Sequence, residues 1–162
     1  MNEIDFPSLP SEPDDLAKEE ISSLLARSGR ETVAGLWSTL QSEMMDLASV
    51  IRTESALKEM AGKLADLRDR YGRISIGDRG RLFNTDLLEA IEFGHMLDVS
   101  ETIVVSALAR QESRGAHYRE DFPQRDDPNW LKHTFVRRVG GKLELSYKPV
   151  TITRFPPQER KY

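Results

Sequence analysis

The sequence contains no cysteine, and this absence excludes several kinds of chemistry. A chain without thiols cannot form disulfides, bind an iron–sulfur cluster or a cysteine-type zinc site, or use a thiolate nucleophile. Aromatic residues are also few, at 7%. No apolar run reaches the roughly 18 residues that a membrane-spanning helix needs. We therefore predict a chain without direct membrane insertion and compatible with a reducing compartment.

Positive charge is not in excess, which argues against a nucleic-acid partner. The chain has 23 Lys and Arg against 27 Asp and Glu, a formal net charge of −4. Nucleic-acid-binding domains usually present a basic stripe, whereas the arginines here are interleaved with acids along the chain. We therefore predict that this protein binds no nucleic acid.

Sequence signatures of catalytic and cofactor sites are also missing. The chain has no G-x-G-x-x-G or Walker loop for a nucleotide and no G-x-S-x-G elbow for a serine nucleophile. Its three histidines, His95, His117 and His133, lack the His-x-x-x-His spacing of a helical zinc site. The adjacent acids Asp126 and Asp127 are interpreted as a solvated turn rather than a general acid/base pair. We therefore expect no dinucleotide-binding loop, no serine nucleophile and no metal-binding residue in this chain.

Apolar residues at helical spacing are what the sequence does contain. A short helix is predicted over residues 14–26, and Ser28 followed by Glu31 has the capping-box spacing that starts a second helix. Steps of three and four place the apolar residues of each helix on one face. These are Leu16, Ile21, Leu24 and Leu25 in the first, and Val33, Trp37, Leu40, Met44, Leu47 and Ile51 in the second.

Two longer helices are predicted to complete a bundle. One covers residues 53–71; the other is capped by Asn84, covers residues 85–114 and stops at Gly115. The second helix and the helix of residues 53–71 are predicted to form an antiparallel pair, because neither would be stable without a cover for its apolar face. The apolar stripe of residues 53–71 consists of Leu57, Met60, Leu64, Leu67 and Tyr71.

A β-hairpin is predicted after these helices. Residues 134–139 and 142–148 flank Gly140-Gly141, a favoured two-residue hairpin turn. An isolated hairpin is marginal in water, so we expect it to pack on the bundle. The implied register places Thr134, Val136 and Arg138 opposite Tyr147, Leu145 and Leu143, and Arg137 opposite Glu144.

These elements predict a mainly α fold, a three-helix antiparallel bundle (spectrin-repeat-like) followed by a small β-hairpin and an extended C-terminal tail. The expected organisation is a linker-like lead-in over residues 1–13 and a helical domain over residues 14–133. The helical domain includes a charged loop at residues 115–133. The hairpin and tail occupy residues 134–162.

The most unusual segment is residues 112–123, where opposite charges, a histidine and two aromatic residues lie close together in sequence. Charged loops beside aromatic residues often carry function. Composition alone leaves two interpretations open. The favoured one is an interdomain surface whose Arg–carboxylate pairs fix an irregular backbone; the other is a catalytic role.

Residues 112–134 read ESRGAHYREDFPQRDDPNWLKHT. This string resembles a signature of the succinate dehydrogenase/fumarate reductase flavoproteins, in which E-S-R-G-A-H is followed by an acidic D-(F/Y)-P and then by R-D-D-x-N-W-L-K-H-T. Further similarity lies in residues 40–44, 83–88 and 156–162, so the resemblance covers most of the chain. L-aspartate oxidase and adenylylsulfate reductase share the general layout but match the loop less well.

The resemblance implies that this chain is one part of a larger enzyme. In this family an N-terminal domain binds FAD and a capping domain closes over the dicarboxylate; none of their motifs occurs here, so no catalytic, FAD or substrate residue is carried over. We expect this domain to brace the FAD domain and to help the subunit sit against the iron–sulfur subunit. The complex is expected in the cytoplasm, peripheral on the inner face of the membrane. The candidate interdomain contacts are Arg110, Arg114, His117 and Arg119.

Two alternatives remain open. One is a stand-alone helical protein–protein interaction module, and the other is the C-terminal domain of L-aspartate oxidase. The linker-like start indicates a piece of a longer protein or the product of a split gene. Its exposed former interface would then allow a homodimer.

Overall fold

The computed structural model describes residues 8–80 and 82–158. Parts of the predicted lead-in (residues 1–7) and of the predicted tail (residues 159–162) therefore lie outside the described residues. The elements, in chain order, are α1 Asp15–Ala26, α2 Val33–Ala48, β1 Ile51–Arg52, α3 Glu54–Tyr71, α4 Thr85–Ala109, β2 Tyr118–Arg119, α5 Asp127–Trp130, β3 Lys132–Val139 and β4 Lys142–Pro149. The predicted mainly α fold, with a bundle followed by a hairpin, is confirmed.

The core lies between α2, α3 and α4, which pack against one another. The stripe predicted for α3 is confirmed, since all five of its residues are buried. The Tyr71 hydroxyl donates a 2.8 Å hydrogen bond to the carbonyl of Ala90. The Tyr71 ring centroid lies 5.6 Å from that of Phe93, and Trp37 of α2 packs on the other side of this cluster, 6.0 Å from Phe93. These aromatic contacts fix the relative positions of the three helices.

Helix α2 begins later than the capping-box spacing predicts. Its cap is Thr32, whose side chain accepts a hydrogen bond from the backbone N–H of Gly35. Ser28 and Glu31 instead lie in an extended segment that pairs with the chain after α3: Gly29 donates to the carbonyl of Ile74 at 3.2 Å. The prediction of Ser28 as the cap was wrong because this long-range pairing holds Ser28 out of the helix.

The pairing beside Ser28 also explains why residue 29 is glycine. A Cβ atom at Gly29 would lie 1.5 Å from the carbonyl oxygen of Arg73. No side chain fits at that distance, so the two backbone segments can approach only with glycine here.

The apolar faces predicted for α1 and the end of α2 are partly wrong. Leu16 is 82% exposed, and Leu24 is the buried residue of α1. Helix α2 ends at Ala48, so Ile51 lies in strand β1 and is 61% exposed. The Nε of Arg52 donates to the carbonyls of Ala48 and Ser49, which satisfies the free carbonyls at the helix end and stops the helix before Ile51.

Helix α4 starts as predicted but ends earlier. The Asn84 side chain caps it by accepting a 2.8 Å hydrogen bond from the N–H of Leu87. The helix ends at Ala109 rather than Arg114, because Arg110 takes an extended conformation. Gly115, with φ of 61°, does not end the helix but lies in a tight turn closed by backbone hydrogen bonds between Arg114 and His117.

The hairpin of β3 and β4 has the predicted register, with Thr134 opposite Tyr147 and Arg137 opposite Glu144. Gly140 and Gly141 form the turn with φ of 54° and 81°, values that favour glycine. The hairpin packs on α4, where the guanidinium of Arg138 forms ion pairs with Asp98 and Glu101. Over residues 8–80 and 82–158, no helix is both long and apolar enough to cross a membrane.

Candidate functional site

The charged loop after α4, which in the structure begins at residue 110 and reaches β3, is built around a buried carboxylate, that of Glu112. It accepts hydrogen bonds from the guanidinium groups of Arg110 and Arg114 and from the backbone N–H of Asp126. Burial alone would raise the pKa of Glu112, but the hydrogen bonds from Arg114, Asp126 and Arg110 lower it below its ordinary value. The carboxylate therefore stays charged and joins three separate parts of the loop.

A buried guanidinium, that of Arg119, connects the loop to the end of α4. Its Nη1 donates to the carbonyls of Ala107 at 2.9 Å and Leu108 at 3.2 Å. Its Nε and Nη2 each donate a 2.7 Å hydrogen bond to the carboxylate of Asp121. The Arg119 hydrogen bond is the main reason that the pKa of Asp121 falls to about 2. The planar guanidinium of Arg119 thus donates to the free carbonyls at the end of α4 and forms an ion pair with Asp121 at the same time.

Backbone pairing ties the loop to the connection between α2 and α3. Strands β1 and β2 are parallel: Tyr118 donates to the carbonyl of Val50 at 3.1 Å, and Glu120 donates to the carbonyl of Arg52 at 2.9 Å. These strands were not predicted from the sequence, because two-residue strands show no alternation of polar and apolar residues. The pairing brings Arg52 beside the loop.

Arg52 is the functional candidate that the sequence analysis did not identify. Its Nη1 lies 2.8 Å from Nδ1 of His117, and His117 Nε2 lies 3.3 Å from the carbonyl oxygen of Arg110. Burial is the main cause that lowers the pKa of His117, and the charge of Arg52 acts in the same direction. Nothing in the sequence near Arg52 indicates this contact, since the partner lies 65 residues away.

The four predicted interdomain residues lie together in this loop. The side chain of Arg119 is 1% exposed, that of Arg110 is 15% exposed and that of Arg114 is 28% exposed. All four, including His117, form hydrogen bonds within the chain. Their contact with a second domain stays a prediction. The structure gives them an internal role as well, which is to hold the loop in one conformation.

Arg114 also lines an open cavity of about 930 Å³, together with Arg125, Asp127 and Gln158. Asp127 accepts a 2.6 Å hydrogen bond from Arg114 and a 2.8 Å hydrogen bond from Arg125. The bond from Arg114 is the main cause that lowers the pKa of Asp127. Asp126 instead caps α5 by accepting from the N–H of Asn129. The adjacent acids thus have separate structural partners at the start of α5, and the prediction of a solvated turn was wrong because Asp127 is held by two arginines.

Within the described ranges, one group of three carboxylates lies close enough together to share a metal ion: Glu12, Asp14 and Asp15. All three are exposed at the start of α1, and Lys18 already pairs with Asp14 at 2.9 Å. Exposed acids of this kind commonly occur without an ion, so the group indicates no metal site.

Comparisons with known proteins identify this arrangement of helices, loop and hairpin. A family model described as "Fumarate reductase flavoprotein C-term" matches residues 37–162. The chain is 43% identical over 142 residues to the succinate dehydrogenase flavoprotein subunit of Rickettsia felis, covering 83% of this chain and 24% of that protein. It is 40% identical over 148 residues to the fumarate reductase flavoprotein subunit of Escherichia coli, covering 90% of this chain and 25% of that protein.

The fold agrees with a solved structure of the same kind. A chain of Escherichia coli quinol fumarate reductase superposes with a TM-score of 0.87 at 36% identity, covering 95% of this chain and 27% of that one. This chain therefore spans about a quarter of the length of the curated relatives it matches.

Proposed function

We propose, because the chain belongs to the fumarate reductase flavoprotein C-terminal family, that it is the C-terminal part of a flavoprotein subunit that interconverts succinate and fumarate. The observation that carries the proposal is the similarity of nearly the whole chain to about a quarter of such subunits. In this proposal the remaining three quarters bind FAD and the dicarboxylate. This part supplies no reacting group and braces the flavin-binding part.

The outer face of α4 supports a bracing role. One face of helix α4 fills the core, and Leu88, Met96, Val99 and Ile103 are exposed beside that face. These four residues, which we term the outer stripe of α4, follow helical spacing. An exposed apolar stripe beside the buried face of a helix is typical of a surface that a further part of a protein covers. We propose that the flavin-binding part of the same subunit covers this stripe.

The charged loop supplies a second contact in this proposal. Arg114 is the most exposed of the three candidate arginines and lines an open cavity of about 930 Å³, so we propose that it touches the neighbouring domain directly. His117 is half-buried and lies beside it in the loop. Arg110 and Arg119 are more deeply buried and act by fixing the shape of the loop that Arg114 presents.

The wider setting of the proposal is a multi-subunit complex. FAD is held by the flavin-binding part of the subunit, a capping domain closes over the dicarboxylate, and an iron–sulfur subunit receives the electrons. The complex is anchored in a membrane, and this chain lies on the cytoplasmic face of that membrane without inserting into it. Purified alone, the chain has its outer stripe uncovered and would form a homodimer through it.

Reconstitution tests the proposal. The purified chain is mixed with the matching FAD-binding and capping part and with FAD, and succinate oxidation is followed with an artificial electron acceptor. We expect flavin binding or activity in the mixture that neither piece has alone. A folded partner piece that does not associate at micromolar concentrations, as measured by ultracentrifugation, would contradict the proposal.

A pair of matched variants locates the contact. Val99→Asp places a charge on the outer stripe of α4, and Ser42→Asp places the same charge at an exposed polar position of α2. We expect the first to weaken association with the flavin-binding part and the second to leave it unchanged. Equal effects of the two variants would contradict the assignment of the outer stripe as the covered surface.

A further inference from the structure

A second cavity is lined by cations, two of which have no carboxylate partner among residues 8–80 and 82–158. This cavity, of about 400 Å³, lies where the end of α4 meets β1 and β3. Arg52, Arg110, His117, Lys132 and His133 line it, and its lining contains no Asp or Glu. We call it the cationic recess.

Two cations of the recess differ from the arginines of the neighbouring loop. Arg52 and Lys132 form no ion pair with a carboxylate among residues 8–80 and 82–158, although each has polar or aromatic contacts. Every arginine of the loop does have an acidic partner: Arg110 pairs with Glu112, Arg114 with Glu112 and Asp127, Arg119 with Asp121, and Arg125 with Asp127. The charge of the loop is therefore balanced internally, whereas that of the recess is not.

Both unneutralised cations are held in place. Arg52 donates from Nε to the carbonyl ends of α2 and from Nη1 to His117. The ammonium of Lys132 lies 4.4 Å from the ring centroid of Trp130 and 4.2 Å from that of Tyr147. An anion that binds here would not have to order either side chain, so its binding would cost little conformational entropy.

Arg52 is half-buried in the recess. Burial disfavours the charged form of Arg52 and lowers the pKa of its guanidinium, yet a guanidinium stays protonated in proteins. A partly buried cation without a counter-ion is costly, and an incoming anion removes that cost. Guanidinium and ammonium donors, with the nearby hydroxyls of Ser106 and Thr134, suit the oxygen atoms of a carboxylate.

We propose that the cationic recess binds carboxylate groups, with Lys132 and Arg52 as the main charged donors. The carboxylate has two possible sources, a free dicarboxylate or the acidic side chains of a neighbouring polypeptide. This inference is independent of the proposed enzymatic role, because it concerns a site within the present chain and is measured without flavin or activity.

Titration of the purified 162-residue chain, followed by amide NMR shifts, tests the site and separates the two sources. One arm adds sodium succinate up to about 10 mM, a range that detects a weak site. The other arm adds a blocked peptide with two aspartates, and its control is the same peptide with two asparagines. Sodium chloride at equal ionic strength corrects for general screening.

We expect saturable shifts at Arg52, Lys132 and His133 with succinate, with the aspartate peptide, or with both. A response to succinate alone assigns the recess to a free dicarboxylate, and a response to the peptide alone assigns it to a protein surface. Shifts that follow sodium chloride and do not saturate in either arm would overturn the proposal.

Two variants confirm the location. Lys132→Gln removes a recess charge, and Lys142→Gln makes the same change at the far end of the same hairpin. We expect the first to weaken binding about tenfold, the loss of one charge-assisted hydrogen bond, and the second to leave it unchanged. Equal affinities of the two variants, both shown to be folded by NMR, would also overturn the proposal.

Discussion

Arg52 Nη1 and His117 Nδ1, which belong to residues 65 positions apart, lie 2.8 Å from each other. An arginine can only donate, so Nδ1 of His117 must accept and carries no proton. The proton of the neutral ring is then on Nε2, which donates to the carbonyl of Arg110 at 3.3 Å. One contact thus fixes the tautomer of the histidine and joins the α2–α3 connection to the charged loop.

The first prediction is a loss of stability as the pH falls below about 6.5, the ordinary pKa of histidine. Burial lowers the pKa of His117 in the folded chain, so the unfolded chain binds a proton that the folded chain does not. The free energy of unfolding therefore falls with pH between the unfolded and folded pKa values, by at most about 1.4 kcal/mol per pH unit. Urea unfolding at several pH values between 7.5 and 5 measures this slope.

Two variants assign that slope to one residue. His117→Asn removes the titrating group, so the slope in this pH range should flatten. His95→Asn changes an exposed histidine on α4 and should keep the slope of the unsubstituted chain. A slope that survives in His117→Asn would rule out this residue as its source. Asp121, whose pKa is lowered to about 2, adds a separate loss only at more acidic pH.

The second prediction concerns the buried carboxylate of Glu112. Glu112→Gln replaces one acceptor oxygen with an amide donor that faces guanidinium donors, and it leaves Arg110 and Arg114 without their shared counter-charge. We expect a loss of about 3 kcal/mol in the free energy of unfolding, measured by urea denaturation at pH 7. Glu120→Gln, at an exposed position of the same loop, should change it by less than about 0.5 kcal/mol. Similar losses in both variants would contradict the central role of Glu112.

The third prediction concerns the shape of the Arg119 guanidinium. Arg119→Lys keeps the charge but cannot bind Asp121 with two parallel hydrogen bonds while also donating to Ala107 and Leu108. We expect the free energy of unfolding to fall by about 3 kcal/mol, measured by thermal or urea unfolding.

Arg125→Lys is the matched control, because Arg125 is more exposed and makes a simpler ion pair with Asp127. Arg125→Lys should lower the free energy of unfolding by less than about 1 kcal/mol. If Arg119→Lys lowered the free energy of unfolding no more than this control, the loop would depend on the charge of Arg119 and not on the shape of its guanidinium.

The fourth prediction concerns the attachment of the hairpin to α4. Arg138→Ala removes the ion pairs with Asp98 and Glu101, which are partly exposed and therefore weak. We expect the amides of β3 and β4 to exchange about two- to fivefold faster with deuterated water, with α3 unchanged. Arg137→Ala is the control, since Arg137 lies opposite Glu144 on the other face of the hairpin. Faster exchange in α3 as well would indicate a general loss of stability instead.

Local patterns predicted the parts of the fold that depend on neighbouring residues. The apolar stripe of α3 and the Asn84 cap were right because helical spacing and capping involve residues three or four positions apart. The hairpin register was right because a two-residue glycine turn fixes which residues face each other. The family was identified from the string at residues 112–134, and the comparisons confirm it.

Distant contacts decided the element ends that the sequence analysis placed wrongly. Ser28 does not cap α2, because its segment pairs with the chain after α3. Helix α4 does not reach Arg114, because Arg119, which follows ten residues after Ala109, takes over the carbonyls at its end. In both cases the sequence contains a local signal for the predicted helix end, but contacts with distant residues place the end elsewhere.

The candidate site shows the same division. Sequence alone identified residues 112–123, which hold Arg114, His117 and Arg119, because charged residues beside aromatic ones are visible in composition. It did not reveal that Glu112 lies at the centre of the loop. Arg52 and Lys132 were missed because each belongs to a different element, and only packing brings them to one cavity.

By itself, then, the amino-acid sequence determined the helical bundle, the hairpin with its register, and the family, since each depends on spacing or on a contiguous string. The tertiary structure alone decided which charges are neutralised and which are not. Ion pairing depends on distances of a few ångströms between side chains that lie far apart in sequence, and those distances exist only after the helices, the loop and the hairpin have packed together.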